Sequence, residues 1–530
     1  MPFSLTTYLT LDRANHRKTR LVRGVVAVSL ANLCYLRIWD GLFHNPERDY
    51  LAATPYNPVD YFAALAGVFL FAALLYVVIS VIWYHGSRTA RIVAKLAIFI
   101  VFLLPLDFVR RSLGASLAAF FGLSQYIMMG LVAATLLVLA FWFRQRFYAI
   151  LFWLFALLSP YAGVNIVQTL THAISPEQLS ERPQLPVPAA KLESAARNRV
   201  VWIIFDEWDQ RIVFDERPAD LKLPHLDRLV GESVMATRAY APSGSTLISI
   251  PALLTGRLIA EAQARDDDEL RIRFSGEKET RDFRSTDNII TEALLGGHRV
   301  AVMGWYHPYG RLFSQSDNLT AHSFGFPAFQ GFRGQTIFSA EVAQLQFVIS
   351  PFYGRQLSRD LHIQLHAAAL DAVGAAELDL IFLHYNVPHS PGIYDRETQA
   401  YSISPSNSTN EYLSNLALVD RTLGEVLLKL DAAALRDSTT LILTSDHWWR
   451  SAPWVEKGKG YPVPLILRAK GGGNPERVDG TLCTTSLRAV VRDLLAGKCV
   501  DNASLASRLR AEGINGSVTY RQGVAEMIAH

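Results

Sequence analysis

The stretch "VVWIIFDE", residues 200–207, is six apolar residues followed at once by two carboxylates. A short unbroken apolar run rich in β-branched residues is the pattern of a strand buried on both faces, as in a parallel sheet covered by helices. Three further runs repeat it: "HRVAVM" (298–303), "LDLIFL" (378–383) and "TLILT" (440–444). Helical stretches separate the four, which predicts an α/β domain over 199–530. Each run leads into residues that carry chemistry. The first ends in Asp206 and Glu207, the second leads to His307, the third to His384 and His389, and the fourth to Asp446 and His447. Ligands of open α/β sheets bind outside the carboxyl ends of the strands, so four strands deliver acids and imidazoles to one edge. Singly, an Asp after a strand is commonly a turn former, and a lone His a structural hydrogen bonder. Jointly they make the carboxylate–imidazole set that a divalent cation such as zinc takes.

Ahead of that domain the chain changes character. Half of the 530 residues are hydrophobic, and the apolar ones concentrate before residue 172. Five segments, about 21–39, 60–84, 90–109, 116–143 and 147–170, are long and apolar enough to cross a bilayer, each needing roughly 20 residues. The first lacks a small-residue cleavage site and has further spans behind it, so it does not read as a signal peptide. Arg13, Arg17, Lys18, Arg20 and Arg23 precede the first span; Arg88, Arg91 and Lys95 flank the turn after the second; Arg144 and Arg146 follow the fourth. Only Arg37, Arg48, Arg110 and Arg111 lie on the other side, which places the N-terminus in the cytoplasm. With five crossings, the α/β domain is then extracytoplasmic. The expected organisation is a five-helix transmembrane domain (1–172), a proline-rich linker (173–198) and the α/β domain (199–530). Within the last, the charged segment 261–282 reads as a solvated excursion. A net charge of +3 points to no nucleic-acid partner. Three cysteines, Cys34, Cys483 and Cys499, make no zinc framework, and their spacing leaves a Cys483–Cys499 disulfide and ordinary buried thiols equally open.

The remaining signal is "SGSTLISIPALLTGR" (243–257), four hydroxyl side chains leading into an apolar helical run. A metal beside a hydroxyl lowers its pKa and makes an alkoxide available near neutral pH. A helix start offers free N–H groups to an anion, although "GST" alone also reads as a simple N-cap. Pro251 is comfortable only in a first helical turn, which predicts that the regular helix starts near Ser249.

Here the chain resembles a family. "LPHLDRLVGESVMATRAYAPSGSTLISIPALLTGR" (223–257) resembles the N-terminal signature of the sulfatase branch of the alkaline phosphatase superfamily. "GGHRVAVMGWYH" (296–307), "YLSNLALVDRTLGEVLLKL" (412–430) and "TLILTSDHWWR" (440–450) resemble further blocks, in the expected order over 199–500. The resemblance implies an α/β/α sandwich. Counting back from Leu254-Thr255-Gly256-Arg257 puts Thr246 at the position where sulfatases form formylglycine from Cys or Ser. Thr is no such precursor, and Trp305 replaces the sulfate-binding Lys. "STLISIP" instead resembles the Thr-bearing block of membrane-bound phosphoethanolamine transferases, which share with lipoteichoic acid synthases five transmembrane helices and an extracytoplasmic catalytic domain.

That resemblance implies Thr246 as nucleophile and Asp206, Thr246, Asp446 and His447 as ligands of a divalent metal, zinc or else manganese. His389, in "VPHSPG", matches the phosphate-side His, and His389 or His307 would move protons. His384, Trp448 and Lys459 are candidate substrate residues. The implied activity moves a phospholipid head group, phosphoethanolamine-like, onto an envelope glycan or a glycolipid such as lipopolysaccharide, at the bacterial inner membrane. The alternatives are a membrane-anchored hydrolase of phosphate or sulfate esters and a non-catalytic lipid-binding envelope protein. "DHWWR" in place of Asp-His-Gly-Glu and "KGKGYPVPLI" (457–466) without a His are departures from the family pattern, and they bear on the substrate.

Overall fold

The computed structural model describes residues 16–43, 50–51, 58–84, 87–121, 130–131, 134–135, 138, 150, 153–174, 198–265, 268–325, 333–350, 352–451, 461–514, 516–521 and 523–529. The expected linker 173–198 lies almost wholly outside them. The chain divides into two compact units. Met1–His44, Tyr56–Gln178 and Gly331–Pro351 form one; Asn45–Pro55, Leu179–Gln330 and Phe352–His530 form the other. Two segments, 45–55 and 331–351, therefore fold with the unit opposite to the one their place in the sequence suggests.

The second unit is built on one mixed sheet. Its strands are β1 (Arg199–Asp206), β2 (Val234–Ala236), β3 (Val300–Trp305), β4 (Leu319–Phe324), β5 (Leu380–Pro388), β6 (Thr439–Ser445), β7 (Leu465–Arg468) and β8 (Glu476–Val478). They lie in the order β8-β2-β7-β6-β1-β5-β3-β4. The five from β6 to β4 are parallel, while β7 runs antiparallel to both its neighbours. Every residue of β1 is buried, as its unbroken apolar pattern requires. Val201, Ile203 and Phe205 face the layer containing helices Tyr353–Gly374 and Ser408–Ala432. Val200, Trp202 and Ile204 face the layer containing Thr246–Thr255, Ile289–Leu295 and Leu487–Leu495. This is the α/β/α sandwich expected. At the end of β1 away from the acids, Arg199 Nη2 donates to the carbonyls of Ala372, Val373 and Ala375, closing the last turn of the Tyr353–Gly374 helix with a cation.

Two local expectations are corrected. Residues 259–282 are no open loop but a three-stranded antiparallel sheet, Ile259–Ala264, Leu270–Phe274 and Arg281–Asp282. Its charges conceal a period of two: Leu270, Ile272 and Phe274 point into the core while Arg271 and Arg273 point out. The helix after the hydroxyl cluster begins at Thr246, not Ser249, and carries Pro251 in its second turn. The Ser245 carbonyl accepts from both Ile248 and Ser249 N–H, and Ser249 Oγ donates to the Ser243 carbonyl, so the first turn forms ahead of the proline.

The first unit is helical: His16–Cys34, Leu36–Leu42, Pro58–Tyr84, Arg88–Phe121, Ser159–Ile174 and Ile337–Ile349. Among the described residues one helix, Pro58–Ile82, is long and apolar enough to cross a membrane, and a second if Arg20–Cys34 and Leu36–Leu42, bent by 61°, count as one span. The described residues thus do not establish five spans. The expected third span and the start of the fourth form one helix, Arg88–Phe121, because Arg110 and Arg111 interrupt hydropathy without interrupting a helix. Most of 116–143, and part of 147–170, lie outside the described residues. The unit buries polar residues within an apolar interior and exposes large apolar ones. Arg23, Asn32, Asp60 and Asn165 are buried, with Arg23 Nη1 donating to Ser80 Oγ at 2.8 Å and Asn165 Nδ2 to Asn32 Oδ1 at 3.3 Å. Phe69, Leu70, Leu74, Val77 and Ile100 are exposed.

Candidate active site

The carboxyl ends of β1, β5 and β6 and the start of the Thr246–Thr255 helix meet at one point. Thr246 Oγ1 donates to Asp446 Oδ2 at 2.7 Å and lies 3.3 Å from His447 Nε2 and 3.5 Å from Asp206 Oδ2. His447 Nε2 is itself 3.4 Å from Asp446 Oδ2 and 3.8 Å from Asp206 Oδ1. The four residues expected to hold a metal are thus together and buried. Ser445, which the sequence reading passed over, joins the strand ends: its hydroxyl accepts from Trp208 N–H at 2.8 Å and lies 2.7 Å from the Phe205 carbonyl. Its place immediately before the Asp-His pair was the available signal.

His384 belongs to this group as well. Asp206, His384 and Asp446 present ligand atoms within 4.8 Å of one another. The His384 ring is buried, its Nδ1 bonded to the Tyr309 hydroxyl at 2.8 Å, and its Nε2 has no hydrogen-bond partner. Asp206 Oδ1 has none either. A buried carboxylate oxygen and a buried imidazole nitrogen without hydrogen bonds, each with only a contact near 3.8–3.9 Å to an opposite group, are costly unless a cation serves both. The electrostatics agree. Burial, then the Asp446 charge, pushes the Asp206 carboxyl well above the usual carboxylate range. Burial also opposes the Asp446 carboxylate, but the His447 and His384 imidazoles and the Thr246 hydroxyl hold it below that range. Asp446 Oδ1 further accepts from the Glu207 and His447 N–H groups. The residues fit a divalent ion bound by oxygen and nitrogen.

Gly304 of β3 explains how His384 is seated. A Cβ there would lie 2.6 Å from Tyr309 Cε2 and 2.8 Å from His384 Cβ. Gly304→Ala is expected to displace both rings, cost about 1–3 kcal/mol of stability, and lower the metal content of the purified protein, as read by elemental analysis.

The remaining expected site residues spread around this centre. His307 is buried, its Nε2 donating to the Thr246 carbonyl at 3.0 Å and its Nδ1 accepting from Tyr50 Oη at 2.7 Å. Burial holds it down to about 4, and with both nitrogens committed the ring fixes the backbone of Thr246. Tyr50 comes from the 45–55 segment and had no signal in the sequence. Tyr50→Phe leaves a buried imidazole nitrogen unpaired and is expected to cost about 1–3 kcal/mol in thermal or denaturant unfolding. His389 is half-buried. Its N–H donates to the Asp206 carbonyl at 3.1 Å because Asp206 pairs with Pro388 across a β5 bulge. His389, Glu207, Trp449 and Arg450 line a cavity of about 300 Å³. Glu207 and Tyr306 have φ of 62° and 68°, left-handed backbone at two strand ends of the site. Trp448 packs on Gly244, where a Cβ would lie 2.9 Å from its ring, and stacks on Tyr461 at 4.6 Å. Trp449 stacks on Tyr412 at 4.0 Å and is core. Lys459 lies outside the described residues. Cys483 and Cys499 are buried and free.

No curated protein matches the chain. Among solved structures it is similar to a phosphonate monoester hydrolase of Agrobacterium radiobacter, at 17% identity over 60% of this chain and 78% of that one, with a TM-score of 0.41. It is also similar to a sulfatase from Pseudoalteromonas sp., at 14% identity over 63% and 82%, TM-score 0.40. A protein in the alkaline phosphatase superfamily from Vibrio parahaemolyticus gives 15% over 64% and 76%, TM-score 0.41. The family model for sulfatases matches residues 198–486, more than half of the 530 residues, and the chain belongs to the sulfatase family.

Proposed function

We propose that the protein is a membrane-anchored, metal-dependent phosphotransferase that moves a phospholipid head group to an envelope glycan or glycolipid through a covalent Thr246 ester. One observation carries this reading: a threonine hydroxyl, not a formylglycine precursor, stands where Asp206, Asp446 and His447 converge. Asp206, Asp446, His447 and Thr246 would hold the ion, with His384 Nε2 beside them. When bound, a divalent cation there lowers the hydroxyl pKa and takes up charge on a phosphoryl oxygen. His307 keeps Thr246 in place through its carbonyl. Thr246 Oγ1, having lost its proton, forms a bond to phosphorus. The bond to the diacylglycerol oxygen breaks, and that oxygen takes up a proton. The phosphorylated head group stays on Thr246 until an acceptor hydroxyl, giving up its own proton, displaces it. His389, on the wall of the cavity, is the proposed proton carrier for both alcohols.

The surface of the first unit supports membrane residence: exposed Phe69, Leu70, Leu74, Val77 and Ile100, with Arg23, Asp60 and Asn165 buried, suit lipid rather than water. The proposed setting is an inner membrane, with the α/β unit extracytoplasmic. Membership of the sulfatase family equally supports a hydrolase of phosphate or sulfate esters in which water is the acceptor. The test is mass spectrometry of the purified protein after incubation with phospholipid vesicles, beside Thr246→Ala. An adduct on the peptide holding Thr246, absent from the variant, supports transfer, and its mass identifies the head group. Turnover to free phospho-alcohol without any added acceptor favours the hydrolase. No adduct and no turnover in metal-loaded protein overturns both.

A further inference from the structure

The helix Ile337–Ile349 lies in the sequence between β4 and the Tyr353–Gly374 helix, inside the residues matched to the sulfatase family, yet it folds with the N-terminal helices. One face is more apolar than the exposed face of a helix in a soluble protein. Phe338, Val342, Leu345 and Ile349, spaced i, i+4, i+7 and i+11, form a single stripe and are 78%, 41%, 47% and 57% exposed. The opposite face, Ala340, Gln344 and Phe347, is buried. Polar bonds fix it there. Gln344 Nε2 donates to the Asp60 carbonyl at 2.9 Å, and the Gly334 N–H donates to Asp60 Oδ1 at 3.1 Å. Arg37 Nη1 donates to the Phe347 carbonyl at 2.9 Å, with its guanidinium 4.1 Å from that ring's centroid. Glu341 is the one charged residue in the helix sequence.

We infer that Ile337–Ile349 is a bilayer-inserted helix whose Phe338–Val342–Leu345–Ile349 stripe lies among lipid acyl chains. The inference rests on reading Pro58–Ile82 as a membrane span. Lipid is the occupant for two reasons. The helix packs directly on Pro58–Tyr84, a helix long and apolar enough to cross a membrane that itself exposes Phe62, Phe69, Leu70, Leu74 and Val77. A four-residue stripe of large apolar side chains left outward while the polar Gln344 is bonded inward is an arrangement that a hydrocarbon solvent favours and water penalises. At 1.5 Å per residue the helix is about 20 Å long, short of the roughly 30 Å core, so it enters from one side without crossing. Its bonds to Asp60, near the start of the Pro58–Tyr84 helix, place it at that end of the span. The sulfatase-family region thereby carries a membrane element of its own, separate from the N-terminal spans.

The test uses the full chain in vesicles of phosphatidylethanolamine and phosphatidylglycerol, spin-labelled singly at Phe338→Cys, Leu345→Cys, Leu74→Cys or Arg271→Cys. The unsubstituted protein, whose described cysteines are buried, gives the background. All four positions are exposed, so the labels do not disturb packing. The expected result is that labels at 338 and 345, like that at 74, collide severalfold more with oxygen than with a water-soluble nickel chelate, with the reverse at 271. Nickel preference at 338 and 345 alongside oxygen preference at 74 overturns the inference and leaves the span standing. Nickel preference at 74 as well overturns the span itself. Low collision with both reagents, together with dipolar broadening between labels, means a second copy covers the stripe and overturns lipid as the occupant.

Discussion

Thr246→Ala is expected to lower turnover of a phospholipid donor by at least about 10,000-fold, the scale on which removing a covalent nucleophile acts. The substitution deletes one hydroxyl and one methyl from a buried site. The loss of the 2.7 Å bond to Asp446 Oδ2 leaves that carboxylate its two backbone N–H partners, so the fold is expected to persist. Thr246→Ser keeps the oxygen and is expected to retain part of the rate. Steady-state assays with phosphatidylethanolamine vesicles, run with and without a glycolipid acceptor, check both. Full activity in Thr246→Ala would remove Thr246 from the mechanism altogether. Loss in the alanine variant together with acceptor-independent turnover in the wild type would keep the nucleophile and reassign the reaction to hydrolysis.

Asp446→Asn is expected to be nearly as damaging, through the metal. Asp446 accepts from Thr246 with one oxygen and from Glu207 and His447 N–H with the other. An amide in its place removes a charge from the proposed ion and turns a donor toward one of these partners. Metal content after dialysis is expected to fall well below that of the wild type, and activity to fall more than the 10–100-fold that outer-shell changes produce. Binding to the folded state alone stabilises it by about 4 kcal/mol at a thousandfold excess over Kd, so a chelator is expected to lower the melting temperature of the wild type and barely move that of Asp446→Asn. Equal chelator sensitivity in both proteins would mean that the ion sits elsewhere. His384→Ala separates two roles for that ring. Reduced metal content makes it a ligand, whereas unchanged metal with a raised KM makes it a substrate residue.

Much of the site was legible before any coordinates. Strands buried on both faces announce themselves as unbroken apolar runs, and the residues that follow them fall at one edge of a parallel sheet by topology alone. Asp206, Asp446, His447 and Thr246 could therefore be named from sequence and family resemblance, and they meet within hydrogen-bonding distances. The charged 259–282 sheet was missed because its alternation is carried by three apolar positions among many charges.

The sequence by itself determined the α/β character of the second domain, the order of its chemistry-bearing strands and the apolar character of the first 172 residues, because each is a local pattern of period or composition, and the family resemblance added the sandwich. Only the tertiary structure decided the rest. His384 turns its free Nε2 toward Asp206 because Gly304 lets β3 and Tyr309 close against it, whereas His389 reaches the rim because β5 bulges beyond residue 385. Tyr50 reaches His307, and Gln344 reaches Asp60, across separations of 257 and 284 residues. No periodicity encodes such partners; they are set by which buried polar groups must satisfy one another once the layers have packed.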